Sequence, residues 1–324
     1  MSCTQEIEVG ERFANVGRIK TGKELAGLCV GLYSDDECER AFAFIVEAVT
    51  TGFNLRRVIL DGTLSTETEG FWQLNRLWSL RGDKLPPGSY KTIVDCLARL
   101  NTIGEPNLAA GLPLDALVKY CRSHSDELDN ALVYAMSNPE TAKCIVGVLI
   151  VGFELNQAEW FPKTIALFGT TVDAVRVSLY NGLRMVKWEK LNEDEREHFL
   201  DLIKTGFRTN NDEVRYATSG ALVAQALHNE DERLQLILDG VLNGDSNLEK
   251  FGVVEQCAGL SSGGENLLKV SWRIVETLAK EVLGDYRRGG AVFEVLLGTV
   301  EIGIKRKDSA GQRHVRFRKN GLCA

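Results

Sequence analysis

From about residue 21 to about 300 the apolar residues recur every three or four positions, in blocks of 11 to 18 residues separated by short polar or glycine-containing breaks. That is the period of helices that bury one face. Segment 36–51, DECERAFAFIVEAVTT, sets Ala41, Phe44, Ile45, Ala48 and Val49 on one stripe and its acids on the other, and it stops before Gly52. The spacing predicts a helix closed by a glycine cap. Segments 212–228 and 265–283 read the same way, opened by Asp or Asn and closed by Gly, and 23–33 predicts a further helix. Residues 4–20 are too polar and irregular for a strong helical face and are expected to form a capping arm over 1–20. From 299 to 319 the period changes to two. Folding that segment about the Ser309-Ala310 bond sets Ile304 opposite Val315 and Ile302 opposite Phe317, with Glu301 against Arg318 and Lys305 against His314 on the other face. A register in which both faces make sense predicts a small β-hairpin, so 299–324 reads as a basic hairpin and tail and 21–298 as a helical body.

The body contains an internal repeat. NEDER at 192–196 recurs letter for letter at 229–233, and each copy follows a helix that opens with Asp-x-Val-Arg: Asp173 to Arg176 before the first, Asp212 to Arg215 before the second. The offsets are 39 residues for the aspartates, 38 from Gly182 to Gly220, 37 from Asn192 to Asn229 and 34 from Gly206 to Gly240. A period in the high thirties, divided into two helices, is the size of one αα-hairpin in a stacked solenoid. Each aspartate suits a helix N-terminus. Each arginine can reach a carboxylate of its own or the next repeat, as a buried bond whose loss would cost about 2 to 4 kcal/mol.

Segment 200–227, LDLIKTGFRTNNDEVRYATSGALVAQAL, resembles a HEAT repeat, with an apolar first helix, an Asn-Asp turn, Val-Arg, and small Ala217 and Ala221 in the second helix. Segment 163–192 is similar but degenerate, with Val172-Asp173 at the turn and bulky Leu179 and Tyr180 at the small positions, and VLIVGF (148–153) and EAVTTGF (47–53) look like weaker copies. The resemblance implies an all-α, right-handed α-solenoid of stacked αα-hairpins, a fold that usually serves as scaffold, adaptor or regulatory subunit. It names a way of binding and no partner.

Charge and cysteine usage narrow the setting. Subtracting 38 basic from 45 acidic side chains leaves −7, which disfavours general polyanion binding. Residues 305–319 depart from this with seven Lys/Arg and the single acid Asp308. The hairpin face of Lys305, His314, Arg316 and Arg318 is therefore a candidate contact for nucleic acid or an acidic partner, or for the acidic body of the chain itself. Eight cysteines form no Cys-x-x-Cys, and several lie at apolar helical positions, as Cys144 does in AKCIVGVLIVG; this reads as buried thiols in a reducing, cytoplasmic setting. The longest apolar run, Cys144 to Phe153, is too short to span a bilayer, and no membrane role is expected.

Three motifs touch catalytic or metal chemistry. Gly17-Arg-Ile-Lys-Thr-Gly22-Lys23-Glu24 nearly matches a phosphate-binding loop, but Glu24 stands where the Mg²⁺-binding hydroxyl belongs and no buried strand precedes it. Gly259-Leu-Ser261-Ser-Gly263 fits a nucleophile elbow, and Asp285 and His314 follow in hydrolase order, yet nothing upstream alternates strand with helix. Cys121-x-x-His124 offers two metal ligands where zinc wants three or four. No cofactor, metal or catalytic residue is expected. Phe71, Leu74 and Trp78 form a core stripe in FWQLNRLW, and Trp72, off that stripe, is a candidate partner anchor. The expected function is a non-enzymatic protein-binding scaffold gripping its partner on a concave surface; nucleic-acid binding through the basic hairpin is the alternative, and hydrolysis at Ser261 ranks third.

Overall fold

The computed structural model describes residues 9–104 and 112–244, together with 249, 252 and 253. Among them every regular element is helical, so the fold is all-α as the sequence period predicts. The helices used below are α1 (Gly22–Cys29), α2 (Asp35–Thr50), α3 (Leu55–Ile59), α4 (Phe71–Arg81), α5 (Tyr90–Gly104), α6 (Leu112–Ser123) and α7 (Leu128–Met136). They continue as α8 (Ile145–Leu167), α9 (Asp173–Leu183), α10 (Glu193–Phe207), α11 (Asp212–Ala226) and α12 (Glu232–Asn243). The segment 265–283, the hairpin at 299–324 and residues 1–8 of the arm lie outside the described residues, whereas 9–13 of the arm are helical, contrary to expectation, because Val9 and Phe13 lie one helical turn apart and are buried.

Local chemistry starts and stops these helices where polar residues can satisfy orphan backbone groups. Thr21 with Glu24, Ser34 with Glu37 and Asn192 with Glu195 each form a reciprocal capping box at the heads of α1, α2 and α10. Gly52, at φ +103°, ends α2 as the spacing predicts, in a left-handed conformation that a side chain would strain. The buried stripe of α2 differs a little from the expected one: Cys38, Ala41, Phe42, Ile45 and Ala48 are inside. Phe42 turns inward because its ring meets Trp78 of α4 edge to face at 5.8 Å, while Phe44 and Val49 stay half-buried.

The chain divides into two compact units, residues 1–182 and 183–324. In the first, alternate helices lie side by side. One row runs α1, α3, α5, α7, each packed on the next, and the other runs α2, α4, α6, α8. Trp78, Tyr120, Phe13, Phe42, Phe71 and Phe161 are fully buried in this unit. In the second unit α10 packs on both α11 and α12, and α11 on α12.

The stretch Ala142–Leu167, which contains α8, is long and apolar enough to cross a membrane, and 61% of its most apolar stretch is buried inside the fold. It is not straight. Asn156 leaves helical geometry (φ −154°, ψ 82°), and the chain folds back so far that the Trp160 ring lies 2.3 Å from where a Cβ on Gly152 would sit. Positions eight apart in a straight helix are about 12 Å apart along the axis, so the contact requires a sharp corner and a residue without a side chain. Burial and the corner make α8 a bent core helix of this unit.

Candidate functional site

Hydrogen bonds between helices span offsets from about 31 to 50 residues, and five of them share one offset. The Gly22 amide donates to Asp61 Oδ2 at 3.0 Å, and the Gly88 amide to Glu127 Oε1 at 2.5 Å. Tyr134 Oη donates to Asp95 Oδ2 at 2.7 Å, and Gln225 Nε2 to the Val186 carbonyl at 2.9 Å. Arg56 Nε donates to the same Asp95 oxygen. Each of these five bonds joins residues 39 apart. Two pairs of helix starts keep the same step, Asp173 to Asp212 and Glu193 to Glu232, while along α3, α5 and α7 the starts at Leu55, Tyr90 and Leu128 are 35 and 38 apart. Bonds between residues one period apart are what stacked copies of a single supersecondary unit produce.

The most developed of these ladders crosses α3, α5 and α7. Arg56 on α3, Asp95 on α5 and Tyr134 on α7 are spaced 39 and 39, and Arg56 Nη2 also reaches Tyr134 Oη at 3.3 Å. Asp95 is the buried centre, its side chain 11% exposed, whereas that of Arg56 is 49% exposed. Burial, then the bond to Asp95, raises the Tyr134 phenol, and the same carboxylate raises the Arg56 guanidinium, so both remain protonated donors. Tyr90 sets its ring edge to face with Tyr134 at 6.1 Å, and Lys91 Nζ lies 5.8 Å from both ring centres. The result is a surface in which a buried carboxylate holds Arg56 and Tyr134, with Tyr90 and Lys91 against the Tyr134 ring.

No family model, curated protein or solved structure matches the chain.

The residues expected to act from sequence fall elsewhere. Trp72 sits in the first turn of α4, in the other helix row, half-buried with its ring 5.0 Å from Phe71. Lys305, His314, Arg316, Arg318, Ser261 and Asp285 lie outside the described residues. Arg176 pairs with Asp173, and Arg215 with Asp212 at 2.5 Å and Glu249 at 3.5 Å. Both aspartate pairs are one helical turn long and largely at the surface: the arginines are 29% and 25% exposed and the aspartates 42% and 68%. Such one-turn pairs contribute about 0.3 to 0.5 kcal/mol, below the expectation of a buried bond, while the Arg215–Glu249 pair, with Glu249 only 16% exposed, is the more buried contact of Arg215.

The near phosphate loop is otherwise employed. Glu24 accepts from the Lys20 and Thr21 amides at 2.9 and 3.2 Å, and the Gly22 and Lys23 amides donate to Asp61 and Thr63. The amides that a phosphate would need already have partners. Cys121 is buried, and His124 stacks on Tyr120 at 4.3 Å with Nδ1 3.2 Å from the Tyr120 carbonyl. Among the described residues no three His, Cys, Asp or Glu side chains are placed to hold a metal. Cys29, Cys38, Cys96, Cys121 and Cys144 are free and buried, and burial pushes the Cys121 and Cys144 thiols up to about 12, far from reactive thiolates.

The sequence reading missed Arg56, Asp95 and Tyr134. The signal was present as spacing: counting back from Asp212 in steps of 39 gives Asp173, Tyr134, Asp95 and Arg56. Residue identity changes at each step, so no letter pattern exposes it.

Proposed function

We propose that the protein is a non-enzymatic, cytoplasmic scaffold of HEAT-like stacked hairpins that binds a protein partner along a helix row. The observation that carries the reading is the 39-residue step shared by five inter-helix bonds and by the starts of α9 and α11 and of α10 and α12, because stacked repeats present long rows of surface residues to a partner. Five buried free thiols support the reducing compartment. The test is immobilised full-length chain exposed to lysate of the source cell, with a heat-unfolded sample as control. A protein retained in near-stoichiometric amount by the folded chain alone is expected; equal retention by both samples removes the reading.

A second reading, contact with nucleic acid through the basic segment, is favoured by one feature: seven Lys/Arg against one acid over 305–319. Gel shift of DNA and RNA across a salt series, with and without residues 305–324, separates the two. Binding that needs the segment and weakens steeply with salt promotes this reading, and no binding at low salt eliminates it.

A further inference from the structure

We infer that the α3–α5–α7 surface is a docking site for an acidic protein segment, with Arg56, Arg57, Lys91 and Arg99 as its cationic contacts and Tyr90 and Tyr134 as its aromatic ones. The inference rests on the scaffold reading and names the partner's chemistry. Across these three helices the sequence places four cations and two acids. Both acids are engaged: Asp95 holds Arg56 and accepts from Tyr134, and Asp129 holds Lys163 at 3.0 Å. Arg57 and Lys91 are exposed and, like the half-buried Arg99, form no ion pair among the described residues. Within the spans of these three helices the cations outnumber the acids by two, on a chain whose total is −7.

Geometry adds order to that charge. Lys91, Asp95 and Arg99 are four residues apart on α5, so the two cations flank the Arg56 anchor about one turn to either side, about 6 Å each along the axis. Asp95 and Tyr134 hold the Nε and Nη2 edge of Arg56, while Nη1 makes no hydrogen bond among the described residues. An arginine fixed along one edge and half-exposed is a preorganised receptor for a carboxylate, since little side-chain entropy remains to be lost. Tyrosine and arginine together are the residues that dominate protein contact energies. A short carboxylate-rich peptide suits this face better than a nucleic acid, whose run of phosphates would extend past four cations onto acidic surface.

The experiment is fluorescence anisotropy with the full chain and a labelled short peptide of alternating Asp and Glu, beside an oligothymidine of equal length, at low and high salt. The acidic peptide should bind at low salt and weaken with salt, and Arg57→Glu and Lys91→Glu should each reduce its affinity about tenfold or more with unchanged melting temperature. Tyr134→Phe, which keeps the ring and frees one edge of Arg56, should weaken binding by a smaller factor. Absence of binding at low salt, binding unaffected by the charge reversals, or tighter binding of oligothymidine at this surface would overturn the assignment. The scaffold reading fails separately: a lysate partner retained equally by wild type and by Lys91→Glu leaves the scaffold standing and removes this site.

Discussion

At the scale of single residues, the carboxylate of Asp95 is the most consequential group, because two donors from neighbouring helices converge on it. Removing it leaves the Tyr134 hydroxyl without its acceptor, whereas Arg56, half in water, rehydrates easily. Asp95→Ala should therefore cost about 1 to 3 kcal/mol, and Tyr134→Phe about 1 kcal/mol, read from urea unfolding midpoints. Acid should act on a different set. The Ser34 amide and hydroxyl, with the Tyr33 amide, hold Glu37 below its ordinary 4.5; Arg233 and backbone amides hold Asp231 below 3.8. A carboxylate whose folded pKa is depressed stabilises the fold above its unfolded pKa and loses that contribution as pH falls through the folded value. The urea midpoint should accordingly stay level down to about pH 5 and fall below about pH 4.5, and Asp231→Asn should flatten part of that fall.

At the scale of elements, the repeated NEDER shows how far letters predict structure. In the first copy Asn192 is the N-cap of α10 and Glu195 closes the box; in the second the helix starts two residues later in the motif, with Asp231 capping α12 and Asn229 donating instead to the Gln225 carbonyl at 2.8 Å. The letters are offset by 37, the helices by 39. Arg233 accounts for the difference. It is clamped by Asp231 at 2.8 Å, Glu197 at 2.6 Å and Glu193, so the second copy gives its acid and base to an inter-helix ion cluster. Asn192→Ala should cost about 1 kcal/mol by thermal unfolding, and Asn229→Ala clearly less, although both remove the same letter of the same motif. Helix period, caps and the core stripe of Phe71, Leu74 and Trp78 were legible because each depends on neighbours in sequence. The corner at Asn156 and the Arg56–Asp95–Tyr134 ladder were not. Both depend on groups brought together by folding, and the ladder changes residue type at every step.

At the scale of the whole molecule, the proposed stacking of repeats implies that stability comes from neighbours and that no single element is needed by all the others. Residues 1–182 contain both helix rows from α1 to α8, with Phe13, Trp78, Tyr120 and Phe161 fully buried among them. Ladder bonds at Gly22–Asp61, Arg56–Asp95, Asp95–Tyr134 and Gly88–Glu127 all close within that span. Residues 1–182 alone should thus fold, giving a helical circular-dichroism spectrum and a cooperative urea transition, because nearest-neighbour packing inside the unit is intact. The Arg56 surface lies wholly inside it, so the fragment should also bind the acidic peptide within about threefold of the full chain. A coil-like spectrum would show that stability is shared across the whole chain and that neighbour-by-neighbour stacking is the wrong account of this fold. A folded fragment that has lost the peptide would keep the stacking account and locate the binding energy in residues 183–324.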